Sequence, residues 1–220
     1  MNCTRSSLYL NSERMSKALY NVFSGTDPPW STYLGTMRKI LKQDFFNRSA
    51  VSVSRDLLGK FLVRKIDRKK LAFMIVETEA YDGPHDKASH AHKGRTARTE
   101  VMFGPPGYFY VYLCYGMYWM LNVVTGPKDY PAAVLIRGLY TEHPMSSILN
   151  GPGKLTKFLY INKNLNGFPS IPHSGLWIED RGVRVSKNKT PWRIRRTPRI
   201  GVAYAGKWAK KQYRFVLKTK

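Results

Sequence analysis

Two glutamates, Glu77 and Glu79, stand in an otherwise apolar run over residues 71–81. The run alternates as a β-strand would, which predicts that both carboxylates share a face with Phe73 and Ile75. A carboxylate among apolar side chains costs free energy unless it is hydrogen-bonded, paired with a cation or used in chemistry. One interpretation is that both glutamates pair with Arg or Lys or lie at the wet end of the strand. The other is general-base catalysis, in which a carboxylate takes a proton from an attacking water and raises the rate by about 10²–10⁴.

A loop rich in His, Gly, Lys and Arg follows this strand. At 25 residues, the segment 82–106 is longer than a connector needs to be, which favours a functional role. Its candidate metal ligands are His85, His90, His92, Asp82 and Asp86. Imidazole and carboxylate groups suit zinc or a nuclease metal pair, but their spacing here matches no metal-binding motif. We therefore expect these histidines to form hydrogen bonds or contact nucleic acid, and we predict no bound metal.

Five tyrosines fall within eleven residues: Tyr108, Tyr110, Tyr112, Tyr115 and Tyr118. The segment 108–124 reads as a long β-hairpin with a tight turn at Tyr115-Gly116. Tyrosines two residues apart could simply form an aromatic ladder within a sheet. Tyr115 differs because a side chain at a hairpin tip has little of its own chain to pack against, and such a side chain can wedge between base pairs. Tyrosines deeper in the hairpin could stack on an extruded base, a contact worth about 1–3 kcal/mol.

The charge balance indicates a polyanionic partner. The 220 residues contain 37 Lys and Arg against 14 Asp and Glu, a net charge of +23, which favours nucleic acid first and an acidic membrane surface second. From residue 181 to the C-terminus there are fourteen basic residues and no acidic one. A hydrophobic content of 43% excludes a disordered basic tail. Two cysteines cannot build a disulfide framework, and no apolar run is long enough to predict a membrane span.

The surrounding elements predict one α+β domain with a curved, mainly antiparallel sheet and a protruding hairpin. The predicted helices are 52–58 and 154–160, and the predicted strands outside the hairpin are 60–66, 71–81, 132–139, 200–204 and 213–217. We assign residues 41–220 to the domain and residues 1–40, which are rich in Ser and Asn, to an appendage outside the core. That appendage could be a transit peptide, or translation could start at Met37.

One segment, Gly151-Pro-Gly-Lys-Leu-Thr156, contains the Gly-Lys pair of a phosphate loop. The P-loop motif needs a glycine at position 148, where this chain has Ile148. Lys154, at the predicted start of a helix, is instead expected to meet a DNA phosphate.

A larger set of segments matches a known pattern. They are Ile75-Val-Glu-Thr-Glu-Ala-Tyr81, Gly83-Pro, Ala88-Ser-His90, Met102-Phe, Tyr110-Val-Tyr-Leu-Cys-Tyr-Gly-Met-Tyr118, Asn122, Ala133-Val-Leu-Ile-Arg137, Gly151-Pro-Gly-Lys-Leu-Thr156, Ile161-Asn, Arg199-Ile-Gly-Val202 and Ala205-Gly-Lys-Trp208. Together they resemble the alkyladenine (3-methyladenine) DNA glycosylase family over roughly residues 41–217. The Glu-Thr-Glu-Ala-Tyr and Tyr-Gly-Met-Tyr segments are the most specific.

The resemblance implies a catalytic group. Glu79 is similar to the family's general base, and Glu77 to a supporting residue. Arg137 and the backbone carbonyl of Ile200 resemble the groups that orient the attacking water. The family more often has Val at the last position, but a backbone group tolerates Ile.

The resemblance also implies a base pocket. Tyr81, His90 and Tyr112 look like the walls that sandwich an extruded base. Asn122 resembles the residue that crowds the exocyclic amine of guanine, and Tyr115 the side chain that fills the gap in the duplex.

The resulting expectation is a monofunctional DNA glycosylase of base excision repair. It would hydrolyse the N-glycosidic bond of alkylated or deaminated purines and leave an abasic site. An alkylated cationic purine departs without a general acid, whereas a neutral deaminated purine has to be protonated as it leaves. The expected partner is double-stranded DNA containing damaged purines, with no cofactor, no metal and no membrane. The protein is expected to be a monomer that acts with chromosomal DNA, in a nucleus or a nucleoid. The alternatives are a non-catalytic nucleic-acid-binding protein, a metal-dependent nuclease and a bifunctional glycosylase that uses a lysine nucleophile.

Overall fold

One long strand, Lys69–Tyr81, organises the sheet. The computed structural model describes residues 38–140, 149–183, 185 and 192–219. The strands are β1 (Lys39–Ile40), β2 (Phe61–Ile66), β3 (Lys69–Tyr81), β4 (Phe109–Cys114), β5 (Tyr118–Thr125), β6 (Ala132–Tyr140), β7 (Leu176–Asp180), β8 (Trp192–Thr197) and β9 (Arg214–Thr219). The helices are α1 (Gln43–Phe46), α2 (Ala50–Asp56) and α3 (Pro152–Phe158).

The strands form one sheet in the order β1-β7-β2-β3-β6-β5-β4, and every strand pairing is antiparallel. Strand β3 pairs with β6 along one edge. Its other edge is divided, because residues 69–74 pair with β2 and residues 77–79 pair with β9. Strand β8 extends the sheet beyond β9. The predicted α+β class with a curled antiparallel sheet is confirmed.

The pairing between β3 and β6 is irregular at the two glutamates. Ile75 lies opposite Leu139 and Glu77 lies opposite Gly138, so Val76 is an extra residue on β3. The next pair joins Thr78 to Ile136, which makes Arg137 an extra residue on β6. A β-bulge of this kind reorients the side chains that follow it.

The bulges change which face carries the carboxylates. Phe73, Ile75 and Ala80 all belong to the main core. The side chains of the odd-numbered residues of β3 therefore point into the core before the bulge, and those of the even-numbered residues do so after it. Glu77 and Glu79 therefore point away from the face that holds Phe73 and Ile75. The predicted shared face is wrong, because simple alternation assumes an unbroken register.

The main core lies between the sheet and helices α2 and α3. Helix α2 begins at Ser49, whose hydroxyl oxygen accepts a hydrogen bond from the Ser52 amide at 3.3 Å. The helix is tied to β3 by a buried hydrogen bond of 2.9 Å from the Ser54 hydroxyl to the Thr78 hydroxyl. Because Thr78 lies between Glu77 and Glu79, this bond helps to hold both carboxylates on the opposite face.

The hairpin formed by β4 and β5 ends in a tight turn. The Met117 amide donates to the Cys114 carbonyl at 3.1 Å, and the central residues Tyr115 and Gly116 have φ angles of 51° and 69°. Two positive φ angles define the turn that matches the twist of paired strands, and glycine adopts it readily. The Tyr115 side chain is 86% exposed. The predicted hairpin and its exposed tip are present.

Most of the other predicted elements match the structure. The segment 200–204 is an exception, because Gly201 has a φ of +75° and a 3₁₀ helix begins at Ala203. The prediction of a strand there is wrong. Strands β1, β7 and β8 were not predicted, and the loop 82–106 contains two short 3₁₀ helices.

The N-terminal prediction is only partly covered. Residues 1–37 of the predicted appendage lie outside the described residues, and β1, at its end, pairs with β7. The division at residue 40 stays a prediction. In the described part of the chain, no helix has the length and apolar character needed to cross a membrane.

The bulge can be tested at Gly138. A Cβ atom at this position would lie 2.9 Å from the Glu77 Cβ. This distance is shorter than a van der Waals contact, so β3 or β6 would have to shift. We expect Gly138→Ala to lower the free energy of unfolding by about 1–3 kcal/mol, as overpacking does, when measured by urea denaturation. Lys70→Ala, at an exposed position of the same strand, is the control and should change it by less than about 0.5 kcal/mol. An unchanged unfolding midpoint for Gly138→Ala would contradict the tight contact.

Candidate active site

A pocket of about 280 Å³ opens on the face of the sheet that carries the glutamates. It lies among the end of β3, the loop after β3, the hairpin, β6 and the segment 200–204. Its lining includes Tyr81, Ala88, Ser89, His90, Met102, Tyr110, Tyr112, Cys114, Tyr115, Met120, Asn122, Leu135, Arg137, Ile200 and Tyr204. The lining is mostly aromatic and apolar, as in pockets that enclose small organic groups.

The Glu79 carboxylate lies directly behind this lining. Its side chain is 0% exposed. One oxygen accepts the Ile200 amide at 2.8 Å, and the other accepts the Tyr81 hydroxyl at 2.9 Å. Because both Tyr81 and Ile200 line the pocket, the carboxylate is separated from the cavity by groups that are hydrogen-bonded to it.

Glu77 and two arginines form a charged cluster beside Glu79. Glu77 Oε1 accepts the Arg137 Nε–H at 2.9 Å and the Arg214 Nε–H at 2.7 Å. The same Arg137 Nε lies 3.4 Å from Glu79 Oε1. For Glu77, the interpretation that the carboxylate pairs with arginine is therefore correct. Arg137 links the two carboxylates and limits their mutual repulsion.

The protonation of Glu79 reflects opposing effects. Burial raises the pKa of its carboxyl group, and the charge of Arg137, the Ile200 amide and the Tyr81 hydroxyl limit that rise. A carboxylate with a raised pKa binds a proton more readily than an exposed one. This is the property required of a general base.

Tyr81 contributes two different groups to the site. Its hydroxyl donates to Glu79, and the Arg199 guanidinium carbon lies 4.8 Å from the centre of its ring. Burial and the neighbouring Glu79 carboxylate raise the pKa of Tyr81 well above its usual value. The hydroxyl therefore keeps its proton and acts as a hydrogen-bond donor at neutral pH.

A neutral histidine stands against the tyrosines of the hairpin. The His90 ring meets the Tyr112 ring edge-on, with centroids 4.5 Å apart, and its Nδ1 lies 3.2 Å from the Tyr110 hydroxyl. Burial, together with the charges of Arg98 and His92, lowers the pKa of His90 to about 4. At neutral pH this part of the wall is uncharged, and it suits a flat ring.

Asn122 is buried at the base of the hairpin. Its amide nitrogen donates to the backbone carbonyl of Tyr110 at 3.1 Å and to that of Met120 at 3.4 Å. On the neighbouring strand, Leu135 lies opposite both Asn122 and Glu79. Asn122 is therefore held rigidly, two strands away from the carboxylate.

A buried ion pair, which the sequence did not reveal, supports the site. Both side chains of Asp86 and Arg199 are 0% exposed, and the two groups make a two-point contact that includes a 2.9 Å bond from Arg199 Nη2 to Asp86 Oδ1. Arg199 also donates to the Ala80 carbonyl at 2.8 Å. The pair joins the loop after β3 to the C-terminal segment and places the adjacent Ile200 amide against Glu79.

Three of the candidate metal ligands have protein partners in the structure. Asp86 is occupied by Arg199, and the Nδ1 atoms of His90 and His92 contact Tyr110 and the Ser89 carbonyl. Within the described ranges, no three His, Cys, Asp or Glu side chains are grouped as metal ligands would be.

The structure thus brings most of the predicted residues together. One pocket is lined by Tyr81, His90, Tyr112, Asn122, Arg137 and Ile200, and Glu79 lies behind it, hydrogen-bonded to Tyr81 and Ile200. The contact made by Ile200 is from its amide to Glu79, whereas the predicted group was its carbonyl. Tyr115 lies at the pocket mouth, and Lys154 is an exposed residue of α3 outside the lining. Their roles stay predictions.

The sequence model of the methylpurine-DNA glycosylase family matches residues 44–220. The chain belongs to this family. This finding confirms the predicted family and the predicted enzyme class, a DNA-3-methyladenine glycosylase. DNA is therefore the partner of this glycosylase.

Individual relatives agree with this assignment. A protein of Methanocella arvoryzae is 48% identical over 189 residues, which cover 80% of this chain and 91% of the relative. A protein of Legionella pneumophila strain Paris is 44% identical over 182 residues, covering 83% and 96%. One of Anaeromyxobacter dehalogenans strain 2CP-C is 43% identical over 178 residues, covering 81% and 83%. All three carry the provisional name 3-methyladenine DNA glycosylase.

The Arg199–Asp86 pair gives a stability test. Arg199→Met leaves a buried carboxylate without its partner, and we expect a loss of about 3–5 kcal/mol in the free energy of unfolding. The double variant Arg199→Met/Asp86→Asn should lose less free energy of unfolding than the two single variants added together. Each single variant already loses the interaction between the two side chains, and the double variant loses it only once. Arg95→Ala, which breaks exposed ion pairs with Glu100 and Asp129, is the control and should have little effect. Additive losses at Arg199 and Asp86 would contradict the coupling.

Proposed function

We propose that this DNA glycosylase turns an alkylated or deaminated purine out of duplex DNA and hydrolyses its N-glycosidic bond, leaving an abasic site. The observation that carries the proposal is the position of Glu79. Its buried carboxylate is hydrogen-bonded to Tyr81, whose ring forms a wall of a pocket of nucleobase dimensions. A base held in that pocket would place its sugar next to the carboxylate.

The bond-breaking step uses Glu79 in two ways. As the N-glycosidic bond lengthens, its electron pair leaves with the purine and positive charge develops on the deoxyribose. The Glu79 carboxylate stabilises that charge and accepts a proton from the water that attacks the anomeric carbon. Arg137 and the Ile200 amide hold the carboxylate in place during the step.

The pocket favours purines that are good leaving groups. An N3- or N7-alkylated purine carries a positive charge and becomes neutral when it departs, so it needs no acid. The aromatic rings of Tyr81, His90 and Tyr112 in the pocket lining suit stacking on such an electron-poor ring. We assign to Asn122 the exclusion of normal guanine, through its rigid position in the pocket wall.

We further propose that the enzyme is monofunctional. Among the described residues that line the pocket there is no lysine. A glycosylase that also cleaves the strand by a lysine route needs a desolvated amine at the anomeric carbon. Hydrolysis by water is the route that these side chains support.

The exposed tip of the hairpin supports base extrusion. Tyr115 is 86% exposed beside the pocket mouth. We assign it the role of filling the space that the extruded nucleotide leaves between its neighbours. The tight turn at Tyr115-Gly116 places this ring at the end of the hairpin.

Glu79→Gln tests the catalytic assignment. The amide cannot accept a proton, so we expect single-turnover release of hypoxanthine or 3-methyladenine from a duplex to fall by at least about 10²-fold, with binding retained. The measurement is free-base release without added metal, and the product strand should remain intact until alkali is added. Glu100→Gln, a surface glutamate, is the control and should keep full activity. Near-normal excision by Glu79→Gln would refute the assigned base.

Tyr115→Ser tests the hairpin. Loss of the ring should lower the affinity for damaged duplex more than the affinity for intact duplex, because insertion matters only when a base is extruded. The ratio of the two affinities should therefore fall. Fluorescence anisotropy with both duplexes gives this ratio. Tyr160→Ser, which removes an exposed tyrosine after α3, should leave it unchanged. An equal loss of affinity for both duplexes would contradict insertion.

A further inference from the structure

The paired strands β8 and β9, which we call the C-terminal ribbon, carry a row of basic side chains on their outer face. The row consists of Arg193 and Arg195 on β8 and Lys218 on β9. We infer that this face is a phosphate-binding surface, which holds the backbone of the duplex beside the extruded nucleotide. The inference rests on the proposed function and adds a second contact region to it.

Strand register places the row on the catalytic face of the sheet. Directly opposed residues of antiparallel strands point to the same side. Val216 lies opposite both Glu77 on β3 and Arg195 on β8. Arg195 is thus two strands from Glu77, about 10 Å across the sheet at the usual strand spacing.

The same strand register gives the positions of Arg193 and Lys218. Arg193 lies opposite Lys218: it is two residues before Arg195 on β8, and Lys218 is two residues after Val216 on β9. Two residues of a strand span about 7 Å. The row therefore begins near the carboxylates and leads away from them along one face.

Packing fixes the direction in which these side chains point. The alternate residues Trp192, Phe215 and Leu217 are buried against the rest of the protein. Leu217 and Trp192 pack with Met74 of β3. Because the apolar face of the ribbon is buried against the protein, its other face, which carries the three cations, is exposed to solvent.

The three cations of the row have no carboxylate partner among the described residues. Arg193, Arg195 and Lys218 are all exposed. From residue 181 onward the sequence contains no acidic residue at all. A row of exposed cations on a rigid strand pair, next to a site that acts on DNA, is complementary to a phosphate backbone.

The dependence of DNA affinity on salt tests this surface. Each phosphate contact adds about 0.9 to the slope of log K against log salt concentration. For Arg193→Ala/Arg195→Ala/Lys218→Ala we expect the slope to fall by about 2–3. The ligand is a duplex with a chemically stable abasic-site analogue, titrated with the full-length protein between about 50 and 200 mM salt. This analogue needs no catalysis, so the slope can be measured even if base release by the unmodified enzyme fails, which would refute the proposed function alone.

Two further variants separate local contact from net charge. Lys65→Ala/Arg68→Ala/Lys70→Ala removes three positive charges from the exposed β2–β3 turn and should leave the slope and the excision rate unchanged. Arg193→Lys/Arg195→Lys keeps the charge of the row and should restore most of the slope. The inference is overturned if the ribbon variant keeps the slope of the unmodified enzyme, or if both triple variants lower it equally.

Discussion

The paired bulges in β3 and β6 are the constraint on which the site depends. An extra residue on each strand, Val76 on β3 and Arg137 on β6, turns Glu77 and Glu79 away from the core and brings Arg137 against both. A regular register would direct these charges into the apolar side of the sheet, where their desolvation would cost far more than their pairing returns. The bulges therefore allow a charged cluster to sit in the middle of a buried strand without being in the core.

The second part of the site comes from the other end of the chain. Arg199 is held by Asp86, and this pair fixes the next residue so that the Ile200 amide reaches Glu79. The carboxylate is thus held by its own strand through Tyr81, by the neighbouring strand through Arg137 and by the C-terminal segment. Such convergence keeps the proposed general base in one orientation before any substrate arrives, which is the condition for preorganised catalysis.

Sequence reasoning reached the main elements because apolar alternation and turn residues mark them clearly. The tyrosine hairpin, the long strand and the two buried glutamates all follow from such patterns. The bulges were missed because residues 71–76 are apolar on both sides of the strand, so a shift of the inward positions by one residue is not visible in the sequence. The partner of Asp86 lies 113 residues away and could not be paired by spacing. Strand β8 reads as a cluster of charges, because its apolar face consists of only Trp192 and Ile194 between arginines.

Tyr81 joins two tasks in one side chain. Its ring is a wall of the pocket, while its hydroxyl holds an oxygen of Glu79 and its face lies under Arg199. Any remodelling of that wall to admit a different lesion therefore also disturbs the carboxylate. In the part of the chain that the structure describes, neither His90 nor Tyr112 of the opposite wall is hydrogen-bonded to Glu79. Substitutions that reshape the pocket are therefore expected to disturb the carboxylate less on that side than at Tyr81.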